Sequence, residues 1–361
     1  MNAHSSFTTG FDYLRLFLSI AVLIYHAFGI TAGDAFVFEV WTGPWRAIVG
    51  CILPIFFALS GFLVAGSLER AKRLTYFVTY RVVRIVPALA AEITLSVLIL
   101  GPLLTTLTLS EYFTHPDTWR YFWNIVGYIH FHLPGVFEEN PRNIVNVSLW
   151  TIPYELECYI ALFLIAISGL FKKRLKLFFI IIGGTYAATI LMLTMGDHFS
   201  TSLRPTGLSL VTAFLAGVIL YLWRDKIILN WKIFICCLVC LPFLLIKGDF
   251  AFLGAFPAAY VAVFLGMFNP PKKEFFMKGD YSYGIYLFAF PIQQLCIQLF
   301  PDYNNPLFNI GFSLPIAFIC AWFSWHAIEN NILKRKKIIA MKVSYLTDTT
   351  INWTNKRFKD H

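Results

Sequence analysis

Five ionisable side chains, Arg15, His26, Glu92, Glu155 and Glu157, sit inside long apolar runs of this 361-residue chain. Charged and titratable groups are expensive in such surroundings, so each is a candidate for chemistry. Arg15 and His26 share one run, eleven residues apart. On a helix that spacing rotates them by only about 20° and separates them by roughly 16 Å along the axis. One face then carries a fixed cation near one end and a titratable base deeper in. An Arg reaching back to lipid headgroups and a His hydrogen-bonded within a core would give the same pattern.

Arg81 and Arg84 stand one turn apart in Tyr80-Arg-Val-Val-Arg-Ile-Val-Pro87, which places both guanidinium groups on one helix face. Each fork binds phosphate oxygens bidentately, so the pair suits a phosphate-bearing ligand; ordinary positive loop charge is the alternative. Glu155 and Glu157 lie in Ser148-Leu-Trp-Thr-Ile-Pro-Tyr-Glu-Leu-Glu-Cys-Tyr159. Two residues apart, they point to nearly opposite sides of a helix and do not form an acid–base couple. Glu155 shares a face with Tyr159, and Pro153 interrupts the backbone ladder beside it. Periodicity does not decide which Glu faces the interior.

Residues 108–144 hold Trp119, Trp123, Tyr112, Tyr121 and Tyr128 together with His115, His130 and His132. Flat aromatic faces with polar rims suit sugar rings, and an interfacial aromatic belt has the same composition. His130 and His132 lack a third close ligand. Cys237-Leu-Val-Cys240 lies in an apolar run with no His nearby, so no metal is expected.

The elements that hold these groups follow from composition. The chain is 58% hydrophobic and 14% charged, with a mean hydropathy of +0.66. A soluble domain carries about 25% charged residues. A soluble fold, a disordered chain and a disulfide scaffold are all excluded, leaving an all-α, polytopic membrane bundle. About twenty apolar residues cross a bilayer core. Ten runs qualify: 11–30, 46–68, 83–107, 145–170, 177–195, 207–223, 230–247, 250–268, 281–300 and 308–330. The first is too long for a signal core and lacks a small-residue cleavage site. Segment 108–144 is too polar to span and too long for a turn.

With the N-terminus cytoplasmic, only Arg46, Arg120, Arg142, Arg204 and Lys247 of the 29 basic residues fall outside, and Arg15 lies in the first turns of the first helix. The asymmetry predicts ten spans with both ends cytoplasmic. Attraction to an anionic inner leaflet accounts for the net charge of +9, so nucleic acid is not an expected partner. Residues 1–337 read as one membrane domain, and 338–361 as a polar cytoplasmic tail, surface-bound or flexible.

Taken together these segments resemble the membrane acyltransferase-3 family. The matching stretches are Arg15 and His26 at the family's Arg-x10-His spacing, Phe56-Phe-Ala-Leu-Ser-Gly-Phe-Leu-Val64, Arg81-x-x-Arg84, and Ser148-Leu-Trp with Tyr154-Glu155. Tyr281-Ser-Tyr-Gly-Ile-Tyr-Leu-Phe-Ala-Phe-Pro291 and Trp325-His-Ala-Ile-Glu329 are similar to its last two helices. The likeness runs from residue 11 to about 330 and aligns Glu155, rather than Glu157, with the family glutamate. Ala289 stands where many members have His. There is no appended esterase-like domain, so the membrane domain is expected to work alone.

The resemblance implies transfer of an acyl group, most commonly acetyl, from cytoplasmic acetyl-CoA or another acyl-CoA to a hydroxyl of an extracytoplasmic glycan or lipid-linked saccharide, in a bacterial cytoplasmic membrane. It assigns Arg81 and Arg84, with Arg15 and Ser60, to the CoA side. His26 is the expected general base, Glu155 its orienting acid and Arg15 an electrostatic aid. Trp150, Tyr154, Trp119 and Trp123 are the expected acceptor contacts. A transporter or flippase of lipid-linked sugars is the rival reading, but it calls for repeats with matching broken helices, and none is visible. A non-catalytic scaffold gives no reason for Arg15, His26, Arg81 and Arg84 to occur together.

Overall fold

Every one of the ten apolar runs falls on a helix. The computed structural model describes residues 8–199, 206–246, 250–271 and 278–357. Arg204, Lys247, Lys272 and Lys273 of the charge count, and the end of the tail, lie outside the described residues. The helices are α1 (Thr9–Thr42), α2 (Arg46–Arg70), α3 (Leu74–Leu104), α4 (Val147–Ile167), α5 (Arg174–Phe199), α6 (Gly207–Leu222), α7 (Trp231–Ile246), α8 (Ala255–Gly266), α9 (Ser282–Leu299) and α10 (Pro306–Lys334). A further helix, α11, covers Lys336–Arg357. Six of them, α1 to α5 and α10, are long and apolar enough to cross a membrane, and α6 to α8 are shorter apolar helices. The chain is an all-α polytopic bundle.

Helix α2 lies at its centre, against α1, α6, α7 and α8. The approach to α6 is closest where small residues face each other. A Cβ on Gly61 would overlap the Phe214 carbonyl, and one on Gly217 would overlap that of Ala58. With no hydrophobic drive between helices in lipid, such backbone nesting supplies the packing. Phe11, Phe62, Phe77, Leu89 and Phe214 form one continuous buried core beside it.

Three irregularities shape the helices around the site. Helix α1 bends at Gly33, whose φ of 76° suits glycine and strains other residues. In α3 a π-helical turn spans Ser96–Leu100, and Tyr112 of segment 108–144 donates to the Val97 carbonyl at 2.9 Å. In α10 a second π-helical turn, Ser324–Glu329, carries a buried Glu329. Widened turns of this kind recur at functional sites.

Residues 108–144 fold back onto the bundle through two short helices, Leu109–Thr114 and Pro116–Arg120, with Tyr112 and Tyr121 fully buried. The expected tail is largely helical and docked. Helix α11 packs along α3, and Arg73 donates to Ser344 at 2.8 Å and pairs with Asp348 at 2.7 Å.

Candidate active site: two cavities on one wall

A cavity of about 330 Å³ opens among α1, α2, α3, α4 and α9. Arg15, Ser60, Arg81, Arg84 and Glu155 all line it. Residues that stand far apart in the chain thus meet in one space. Arg70 and Lys336 complete its cationic side.

The two arginines of the Arg-x-x-Arg pair differ in what holds them. Arg84 donates to Glu329 Oε2 at 2.7 Å and to Asp280 Oδ2 at 2.6 Å. Arg15 meets the same Asp280 oxygen at 2.7 Å, so one carboxylate bridges α1 and α3. Burial pushes the Asp280 carboxyl up, but Arg15, Arg84 and the Ser282 hydroxyl together hold it well below the usual carboxylate range. Arg81 is in no ion pair among the described residues. It donates to Ser67 Oγ at 3.1 Å and lies 5.8 Å from the Tyr159 ring centroid. Its Nε has no hydrogen-bond partner among them.

Glu155 follows Pro153 in the first turns of α4 and accepts a hydrogen bond from the Tyr159 hydroxyl at 2.5 Å. Glu157 is exposed. The structure therefore separates the two carboxylates as their spacing required, with Glu155 inward.

His26 lines a second, smaller cavity of about 50 Å³, with Tyr25, Trp41, Arg142 and Trp150. That volume holds a few waters rather than a sugar ring. The imidazole packs edge-on to Phe290 at 5.3 Å between centroids and against Tyr25 at 5.2 Å. Leu53 and Tyr286 line both cavities, so the two spaces adjoin at these side chains. The Tyr286 hydroxyl is fixed there by Thr151 Oγ1 at 2.8 Å and the Ser148 carbonyl at 3.1 Å. The arrangement has one chamber rich in cations, another holding a base, and a hydrogen-bonded tyrosine between.

The remaining candidates are dispersed. Tyr154 packs edge-on to Trp150 at 5.9 Å and lines neither cavity. Trp119 and Trp123 are more than half exposed; Trp119 donates to the Phe113 carbonyl at 2.8 Å. His115, His130 and His132 line a separate groove with Asp117 and Glu138. Glu92 accepts from Asn146 at 2.9 Å and Ser96 at 3.1 Å, tying α3 to the approach to α4. Among the described residues no group of three or more His, Cys, Asp or Glu could hold a metal.

Comparison with known proteins decides the family. The family model for the acyltransferase domain matches residues 8–326. The chain belongs to the membrane acyltransferase-3 family. This acyltransferase is 25% identical over 336 residues to an O-acetyl transferase of Shigella phage Sf6, covering 90% of this chain and 96% of the phage protein. It is 27% identical over 384 residues to Nodulation protein 10 of Rhizobium leguminosarum bv. viciae, covering 95% and 98% respectively. No solved structure matches it.

Residues that the spacing arguments did not single out as site candidates are prominent around these two cavities. Asp280 and Glu329 anchor Arg84, Arg142 joins His26, and Tyr286 divides the chambers. Glu329 had a detectable signal, since it is a carboxylate within an apolar run, the rule that singled out Glu92. Arg142 had none, because its charge placed it with the outer loops.

Proposed function

We propose that the protein moves an acyl group, acetyl by preference, from cytoplasmic acyl-CoA to a hydroxyl of an extracytoplasmic glycan or glycolipid. The observation that carries the reading is the shared wall. A cation-lined chamber suited to phosphates meets, through Leu53 and Tyr286 alone in both linings, the chamber that holds His26. The likeness to the phage O-acetyl transferase supports the same chemistry.

On this reading the CoA phosphates rest on the cations and the thin pantetheine arm carries the thioester toward Tyr286. The acceptor hydroxyl enters the His26 chamber from the opposite side. A hydroxyl is too weakly acidic to ionise at neutral pH, so the His26 imidazole takes its proton as the oxygen attacks the thioester carbonyl, and CoA leaves as thiol. Arg142, in the same chamber and paired with Asp34 at 2.8 Å, keeps donor groups that can face the carbonyl oxygen as it turns negative. Glu155 lies on the donor side, one turn beyond Thr151. Its negative charge favours the imidazolium across the wall. Arg15 acts on the donor site through Asp280.

The test is direct. Membranes containing the protein, given acetyl-CoA radiolabelled in its acetyl group, are expected to label a surface glycan or glycolipid. A folded, inserted protein that leaves cell-surface glycans of expressing and deleted cells identical in acyl content would overturn the reading. Stabilisation by acetyl-CoA separates the enzyme from a flippase, which has no need of the donor.

A further inference from the structure

The Arg-x-x-Arg spacing offers two guanidinium groups for phosphate, but the structure commits one of them elsewhere. Arg84 is held by Asp280 and Glu329, and Arg15 shares Asp280. Both are largely neutralised. Arg81 is left facing the chamber in no ion pair among the described residues. A phosphate with two negative charges needs a further cation there.

Lys336 is in place to supply it. It opens α11, ten residues beyond the end of the family match. It is half-buried and lines the same chamber as Arg81 and Arg70. Its ammonium lies 5.4 Å from the Tyr80 ring centroid, one residue before Arg81. The Arg73 contacts to Ser344 and Asp348 hold α11 along α3, and Ala340 and Ser344 are buried beneath it. The position of Lys336 is therefore set by a docked helix. Burial, and then the positive charge of Arg81, Lys337 and Arg70, draws its ammonium below the ordinary range. Asp12 and Glu155 line the chamber too, yet the cations crowd at the end where α11 meets α3. Cations crowded in this way, in partial burial, gain most from a phosphate.

We propose that Lys336 is a phosphate-binding residue of the donor chamber, acting with Arg81 in the place that spacing assigns to Arg84. The C-terminal helix is thereby part of the donor site. This inference rests on the acyl-CoA reading only for the identity of the phosphate carrier.

The experiment measures binding of CoA and, separately, of inorganic pyrophosphate to the detergent-purified full chain, for wild type, K336A, K336R and K337A. Lys337 is the exposed neighbour and serves as a charge control. Loss of a charge-assisted bond is expected to weaken CoA binding about 10- to 100-fold in K336A. K336R should recover most of it, K337A should resemble wild type, and the ligand-free melting temperature should be unchanged throughout. CoA affinity equal in K336A and wild type overturns the proposal. So does a K336A defect that K336R leaves unrepaired and that lowers the ligand-free melting temperature. If wild type ignores CoA but binds pyrophosphate in a Lys336-dependent way, the phosphate site stands and the acyl-CoA reading falls. If neither probe binds, both fall.

Discussion

Arg84 and Asp280 meet at 2.6 Å, joining α3 to the segment that leads into α9. The contact separates two arginines that spacing alone treats as equivalent, because Arg81, one turn earlier, is in no ion pair among the described residues.

The first prediction follows from that difference. Replacing Arg84 by Ala leaves a nearly inaccessible Glu329 without its cation and Asp280 with Arg15 alone. Breaking a buried pair from one side costs about 3–5 kcal/mol. Arg84→Ala should therefore lower the melting temperature steeply. Arg81→Ala should leave it nearly unchanged and weaken CoA binding by about 1.5–3 kcal/mol. Thermal melts and CoA titration on the two variants check this, and equal behaviour would refute it.

Asp280 sets a pH window. Its folded-state pKa is depressed, so the carboxylate contributes stability that is fully present above its unfolded value of about 4 and is lost as pH falls through the folded value. Acidification from pH 7 to 5 should leave this contribution intact. Asp280→Asn should be destabilised at pH 7, with the gap to wild type closing only below about pH 4. Melting temperatures of both proteins across that range supply the measurement.

His26→Ala should reduce turnover by roughly 10² to 10⁴ while CoA binding persists, since the phosphate grip belongs to the other chamber. Glu155→Gln should be impaired by a similar or smaller factor. The double variant should fall short of the product of the two, because groups serving one proton transfer are non-additive. A folded His26→Ala protein with wild-type turnover would end the proposed mechanism.

Tyr286 predicts a different failure. Phenylalanine at this position removes the bonds to Thr151 and Ser148 but keeps the wall. Alanine merges the chambers. Tyr286→Ala should release free CoA from acetyl-CoA without any acceptor, as water gains the thioester, whereas Tyr286→Phe should not. A thiol assay in acceptor-free detergent solution distinguishes them.

The ten-span arrangement predicts that reporters fused before Thr9 and after Lys337 are both active only on the cytoplasmic side. An extracytoplasmic reporter at either end would require a different count of crossings.

Much of this geometry was legible in residue types and spacing. Arg15 and His26 were expected on one face about 16 Å apart. They are indeed on one helix, and the axial distance is what puts them in different cavities. Glu155 was readable as distinct from Glu157, though its inward direction came only from the packing of α4. What separates the chambers was not readable, because Leu53 and Tyr286 are ordinary apolar-run residues brought together by α2 and α9. The neutralisation of Arg84 was equally hidden. Its partners lie 196 and 245 positions away in the chain, beyond the reach of any local periodicity. The tail composition read as polar, but it did not reveal that Arg73 would clasp Asp348 and bring Lys336 inward.

The wall at Leu53 and Tyr286 has a consequence for the cell as well as for the reaction. A protein that draws one reactant from each side of a bilayer risks becoming a leak for protons and other ions. Two chambers that adjoin at Leu53 and Tyr286 confine that hazard to one narrow contact. Reactants from opposite compartments can approach within the span of one aromatic ring while the membrane keeps its electrical insulation. On the proposed mechanism, catalysis and energy conservation then depend on the same tyrosine.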